Sequence, residues 1–166
     1  MAVVALKGTN ITNLDTTPAV VNNVAFMGGH KRVQVGTTEL TNGDSIGSTV
    51  VMARVPSNAV ITSIKIFCDA ITSGAADIGL YRTTQDGGAV VDADAYASAQ
   101  SIASADKVGI ECAFEARDIA NIRRLVWADA GLSADVPGRF YDIVATLTAA
   151  AAATGTLSWI VEYTVD

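Results

Sequence analysis

The sequence has one histidine, two cysteines, three prolines and few charges, and each shortage excludes something. The only imidazole is His30, so every triad or dyad that needs an imidazole base has that one candidate, and His30 reads as an exposed or arm-anchoring residue. No Gly-x-Ser-x-Gly elbow, His-Glu-x-x-His pair, Walker loop or dinucleotide fingerprint occurs, and no cofactor and no enzymatic activity are expected. Charged residues make up 17% of the chain, against roughly a quarter in an average soluble protein. The net charge is −6, and the only basic pairs are Lys31-Arg32 and Arg123-Arg124. Phosphate binding needs a basic footprint, so no direct nucleic-acid partner is expected. The apolar stretches are interrupted by Gly, Thr, Asn or charge before the ~20 residues of a spanning helix, so no membrane partner is expected. The first residues, Met-Ala-Val-Val-Ala-Leu-Lys, lack a basic region followed by an apolar one, which predicts synthesis and folding in the cytoplasm. Cys68 and Cys112 have no metal-ligand spacing and lie in apolar, strand-like surroundings. They are expected as buried thiols, with a disulfide as the alternative.

Half of the residues are hydrophobic, and 166 residues are enough for one domain with a real core. Residues 1–31 lack periodicity and are broken by Pro18 and Gly28-Gly29, yet they carry Val3, Val4, Leu6, Ile11, Leu14, Val20, Val21, Val24 and Phe26. They predict an extended N-terminal arm that needs a surface to lie on. Residues 32–166 predict a β-sandwich domain. Strands are expected at 32–40, ending at the turn Asn42-Gly43-Asp44, at 48–55, ending at Pro56-Ser57-Asn58, and at 60–68. In the last of these Val60, Ile64, Ile66 and Cys68 share a face opposite Ser63 and Lys65. A strand follows at 76–82, with Ile78 and Leu80 inward and Asp77 outward. The Gly-, Asp-, Ala- and Ser-rich span 83–107 predicts a long loop with at most a short strand at 89–91. Strand character resumes at 108–114.

One helix is expected after Asp118, which can cap it, with Ile119, Ile122 and Val126 on one face, Leu125 beside them and Gly131 at its end. The carboxyl end predicts a hairpin. Tyr141, Ile143, Ala145 and Leu147 share one face of the first strand, and Leu157, Trp159, Val161, Tyr163 and Val165 one face of the second. Its tip, 148–155, includes five alanines from Ala149 to Ala153 and is expected to touch a neighbouring chain, with a helical turn as the alternative. Unevenly spaced short strands with one long excursion favour a jelly roll over an immunoglobulin-like sandwich. The fold class is therefore all-β: a jelly-roll-like β-sandwich with one short helix and an extended N-terminal arm.

Asp69, Asp77, Glu111, Glu115 and Asp142 are the carboxylates that a glycosidase would need in a pair, but no spacing selects two of them. Asp86, Asp92 and Asp94 could offer oxygen ligands to calcium, without the spacing of an EF-hand loop, and no metal site is assigned. Trp159, Tyr163 and Trp127 fall on apolar faces and read as packing residues before they read as a sugar-stacking platform.

The chain also resembles the capsid-decorating, or cement, proteins of tailed bacteriophages. The resemblance lies in the opening Met-Ala-Val-Val-Ala-Leu-Lys with Ile11-Thr12-Asn13, in Asn42-Gly43-Asp44-Ser45 and the strand to Val55-Pro56, and in Asp69-Ala70-Ile71-Thr72-Ser73 leading to Ala76-Asp77-Ile78-Gly79-Leu80-Tyr81. It continues through Leu125-Val126-Trp127, Gly131-Leu132-Ser133 and Tyr141 to Leu147. It implies a structural virion protein on the capsid surface, made in the bacterial host cytoplasm. Its partners would be the major capsid protein, whose subunits it would bridge and stabilise, and itself, as a homotrimer. Capsid- or subunit-contact residues are then expected on the arm: Leu6, Ile11, Leu14, Val20, Val21, Phe26 and His30. The alternative is a glycan-binding or fibre- or tail-associated virion module.

Overall fold

The structure, a computed structural model, describes residues 5–166, so Val3 and Val4 of the arm lie outside the described residues. Eight strands form two sheets. They are β1 (His30–Leu40), β2 (Thr49–Pro56), β3 (Val60–Cys68), β4 (Ala75–Arg82), β5 (Val90–Ser101), β6 (Asp106–Glu111), β7 (Phe140–Ala149) and β8 (Gly155–Val165). One sheet has the order β1-β8-β3-β6 and the other β2-β7-β4-β5. The antiparallel pairs β1·β8, β2·β7, β3·β6 and β4·β5 are those of a long hairpin folded at its middle. Rolling that ribbon up adds β3·β8 and β4·β7 and splits it into two facing sheets. This is the eight-stranded jelly roll that the strand spacing predicts.

The facing sides supply the core. From one sheet come Ile61, Ile64, Ile66, Leu157, Trp159 and Val161, and from the other Val55, Ile78, Leu80, Tyr141 and Ile143, all buried. Trp159 lies in the core as expected, and its indole N–H donates to the Met52 carbonyl at 2.6 Å. It fits because Gly36 stands opposite it on β1, where a β-carbon would collide with the indole ring. Cys68 and Cys112 are buried free thiols. Burial pushes the thiol of Cys112 up to about 12 and that of Cys68 up as well.

Four expectations are corrected. The span 83–107 is not a long loop, because β5 occupies Val90–Ser101. Its alternation of Asp92 and Asp94 outward with Val91, Ala93 and Ala95 partly inward is hidden by small residues that look like loop composition. The expected carboxyl-terminal hairpin does not pair. β7 and β8 lie in opposite sheets and face each other across the core, because each has its apolar side turned to the other. Their alanine-rich join crosses between the sheets. Its Ala151 is buried, donating to the Asp44 carbonyl and accepting from the Gly43 amide, so the join is a crossover and not a helical turn. The single helix after Asp118 is two short turns. Asp118 does cap, accepting from the Ala120 amide, but the first turn is a 3-10 segment, Ile119–Arg123. Arg124 is extended, Leu125 bridges Val60, and α2 covers only Val126–Asp129; it is preceded by α1, which lies in the arm. Bonding of the Val126 and Trp127 amides to the Ala59 and Ser57 carbonyls competes with helix continuation. Finally, β3 carries a bulge between Ile61 and Ser63. The extra residue puts Ile61, and not Val60, in phase with Ile64, Ile66 and Cys68.

Among the described residues no helix is long and apolar enough to cross a membrane.

Candidate functional site

The strand directions give the sandwich two unlike ends. At one end lie the connections β1–β2, β3–β4, β5–β6 and β7–β8. These are small, polar loops tied to each other by backbone bonds such as Ala152 N–H to Thr72 carbonyl at 3.0 Å, and the large hydrophobics exposed in or beside them are Ile46 and Val108. At the other end lie the start of β1, the end of β8, the β2–β3 and β4–β5 turns, and the long segment between β6 and β7. The arm joins this end.

The arm folds back on itself. Its residues Thr9–Leu14 form α1, which three asparagines hold against the chain that follows. Asn10 donates to the Phe26 carbonyl at 3.1 Å, Asn22 to the Asn10 carbonyl at 2.9 Å, and Asn13 to the Asn22 side chain at 2.8 Å. A 3-10 turn at Val24–Phe26 fastens the arm to the domain. There Ala25 is buried, its amide donating to the Asp166 carboxylate at 3.0 Å and its carbonyl accepting from the Thr164 hydroxyl at 2.8 Å. Arg123 lies over the Phe26 ring, 4.7 Å from its centre, a cation–π contact that fastens the arm to the 3-10 turn before α2.

The contacts that hold the arm are mostly polar, and its apolar side chains are left outside. Leu6 is 88% exposed and Val21 92%, and Ile11, Leu14 and Val20 are also exposed. Leu14, Val20, Val21 and Met27 line a shallow hollow of ≈ 260 Å³. Phe26 differs from these: it is half-buried beneath Arg123. His30 is exposed at the first position of β1, opposite Val165, and so stands beside the latch. Sequence reasoning missed the rest of the apolar end. Ile119 (76% exposed), Ile122, Val136, Phe140 and Val90 point outward from the loops around the arm. Ile119 and Ile122 are in phase with an inner helix face, and only the break in the helix turns them outward.

The carboxylates considered for catalysis are separate and occupied. Asp69 pairs with Lys107 at 2.6 Å, Asp77 accepts from the Ala99 amide at 2.7 Å and Glu115 from the Ser98 amide at 2.7 Å. Glu111 accepts from Ser63 and the Ile64 amide, and Asp142 accepts from Nε and Nη2 along one edge of the Arg54 guanidinium at 2.6 and 2.9 Å. Lys107 holds the Asp69 carboxyl below its ordinary range. Asp86 pairs with Arg82 and Arg139, Asp92 and Asp94 lie on β5, and no cluster of three metal-ligating side chains occurs among the described residues.

No protein-family model matches the chain, and no curated protein matches it by sequence. Solved structures do match. The chain is similar to one in the cyanophage Pam1 capsid asymmetric unit, with a TM-score of 0.54 and 15% identity over 99% of this chain and 94% of that one. It is also similar to one in the capsid of Ralstonia phage GP4, with a TM-score of 0.51 and 13% identity over 81% of this chain and 85% of that one. At these identities the likeness is one of fold: the jelly roll of this chain is a fold also found in phage capsids.

Proposed function

We propose that the chain is a structural, non-enzymatic virion protein that decorates and stabilises a phage capsid, docking through its arm end and bridging major capsid subunits. The observation that carries this reading is the concentration of exposed apolar side chains at the arm end, against scattered single ones such as Val35, Ile46, Val51 and Val108 elsewhere. Leu6, Ile11, Leu14, Val20, Val21, Val24 and Met27 on the arm, with Ile119, Ile122, Val136 and Phe140 beside them, gather at one end. A contiguous apolar patch rimmed by polar residues marks an interaction surface. The fold shared with chains of two capsid structures supports a shell as the surface met.

Magnitudes favour a lattice as the partner. Burying Leu6, Ile11, Val20 and Val21 contributes on the order of 6 kcal/mol at ~1.5 kcal/mol each. One association event costs a comparable amount, about 4 kcal/mol or more. A single copy therefore binds weakly through the arm alone, whereas a homotrimer on a repeating shell multiplies the effect through effective concentration.

Deleting residues 1–22 tests this while leaving the Ala25 latch in place. The shortened protein is expected to fold with its thermal midpoint little changed and to lose its binding to particles assembled without this chain. Undiminished binding would refute the assignment of the arm. The glycan-binding alternative has less support, because Trp159 is in the core and Tyr163 is buried.

A further inference from the structure

At the same end of the sandwich as the arm, between the end of β2, the turn after β4 and the approach to β7, lies a hollow of ≈ 480 Å³ lined by Arg54, Gln85, Asp86, Val136, Arg139 and Phe140. That volume suits a small ligand or an anchoring side chain. The charges in and around it do not balance. Arg54 is engaged by Asp142 and by the Gln85 side-chain oxygen at 3.2 Å. Arg82 and Arg139 both turn to Asp86, each at 3.7 Å, which is too long for a hydrogen bond. Three guanidinium groups thus share two carboxylates in a protein whose net charge is −6. Among the described residues Arg139 makes no side-chain hydrogen bond, so the donors of its planar fork are free. Such a fork matches a carboxylate in two-point geometry. Val136, Pro137 and the half-exposed Phe140 form an apolar wall beside it.

We propose that this hollow receives a carboxylate carried by an apolar segment of the capsid partner, with Arg139 as its ligand and Phe140 as the wall for the neighbouring apolar side chain. The proposal rests on the reading of the arm end as the docking face. Phe140 connects the two, because it also borders a second hollow that contains Asp166, the acceptor of the arm latch.

The test is a titration of the isotopically labelled full chain, followed by nuclear magnetic resonance at the Arg139 Nε–H and the amides of Val136, Gly138, Arg139 and Phe140. The probes are N-acetyl-phenylalanine, its uncharged amide, and inorganic phosphate. Saturable shifts are expected with the acid, with the amide and phosphate each binding about tenfold more weakly, as loss of one charge-assisted pair or of the apolar contact would give. R139Q is expected to weaken the acid about tenfold at an unchanged thermal midpoint. Equal binding of acid and amide, phosphate binding as tight as the acid, or no shift at all would overturn the proposal, and the acid–amide comparison needs no variant. These failures would leave the arm untouched, since removal of residues 1–22 alters none of the hollow's side chains.

Discussion

Asp129 lies 6% exposed between the guanidinium of Arg117, at 3.1 Å, that of Arg124, at 3.4 Å, and the Tyr96 hydroxyl, which donates to it at 3.3 Å. Arg117 is itself buried and sits between the Tyr96 and Phe114 rings, 5.6 Å from each centre. The cluster pins the segment after β6 to β5. Burial outweighs the two arginines and raises the Asp129 carboxyl from 3.8 to about 6. A carboxyl raised in the folded state binds its proton more tightly there than in the unfolded chain. Its contribution to stability is full below pH 3.8 and is lost as pH rises through about 6. Asp69, held low by Lys107, acts in the opposite sense, so the comparison must be made against D129N. The stability of the natural protein relative to D129N is expected to rise by on the order of 2 kcal/mol between pH 7.5 and pH 4.5 in urea titrations. A difference that is flat with pH would contradict this account of the cluster. None of the cluster was legible in the sequence, because Tyr96 lies on β5 and Arg117, Arg124 and Asp129 lie in the connection between β6 and β7, two segments that only the roll-up of the sheets brings together.

Among the elements, β5 departs furthest from a regular strand. Opposite it, Ile78 and Leu80 are two residues apart, but their partners Ala97 and Asp92 are five apart, so β5 bulges between them. The bulge passes over Gly79, where a β-carbon would collide with the Ala93 carbonyl and the backbone of Asp92. Neither backbone can move without breaking the strand pairing, so G79A is expected to destabilise the protein by about 2–3 kcal/mol. The measurement is a lowered urea midpoint at an unchanged slope; a midpoint equal to that of the natural protein would show that β5 does not rest on Gly79. This geometry explains why most of the strand is not legible in the sequence. A regular period of two makes strands such as β8 readable from Leu157 to Val165, whereas a bulge resets the phase in mid-strand. The same slip in β3 moves Ile61 inward. Two well-patterned runs, β7 and β8, were legible as strands, but alternation does not say which strand a neighbour pairs with. Their assignment to opposite sheets is a property of the whole ribbon.

At the scale of the molecule, the exposed apolar side chains are concentrated at the arm end of the sandwich, with only single ones such as Ile46 and Val108 toward the other. The arm's share of that asymmetry was readable, because apolar residues without a period of two or 3.6 cannot all face one core, and Leu6, Ile11, Leu14, Val20 and Val21 are exposed. The remaining share, from Ile119 to Phe140, depends on where the segment between β6 and β7 breaks and turns, which local pattern does not specify. A decoration protein needs this asymmetry, since an outer end with apolar patches would join particles to one another. The most direct measurement is an electron cryomicroscopy map of the intact particle at a resolution that orients each chain. The account predicts this chain on the head, with the arm, Ile119 and Phe140 against the shell and the Asp44 and Ala151 loops facing solvent. A chain found outside the head, or one with the arm end turned to solvent and the Asp44 end on the shell, would contradict it.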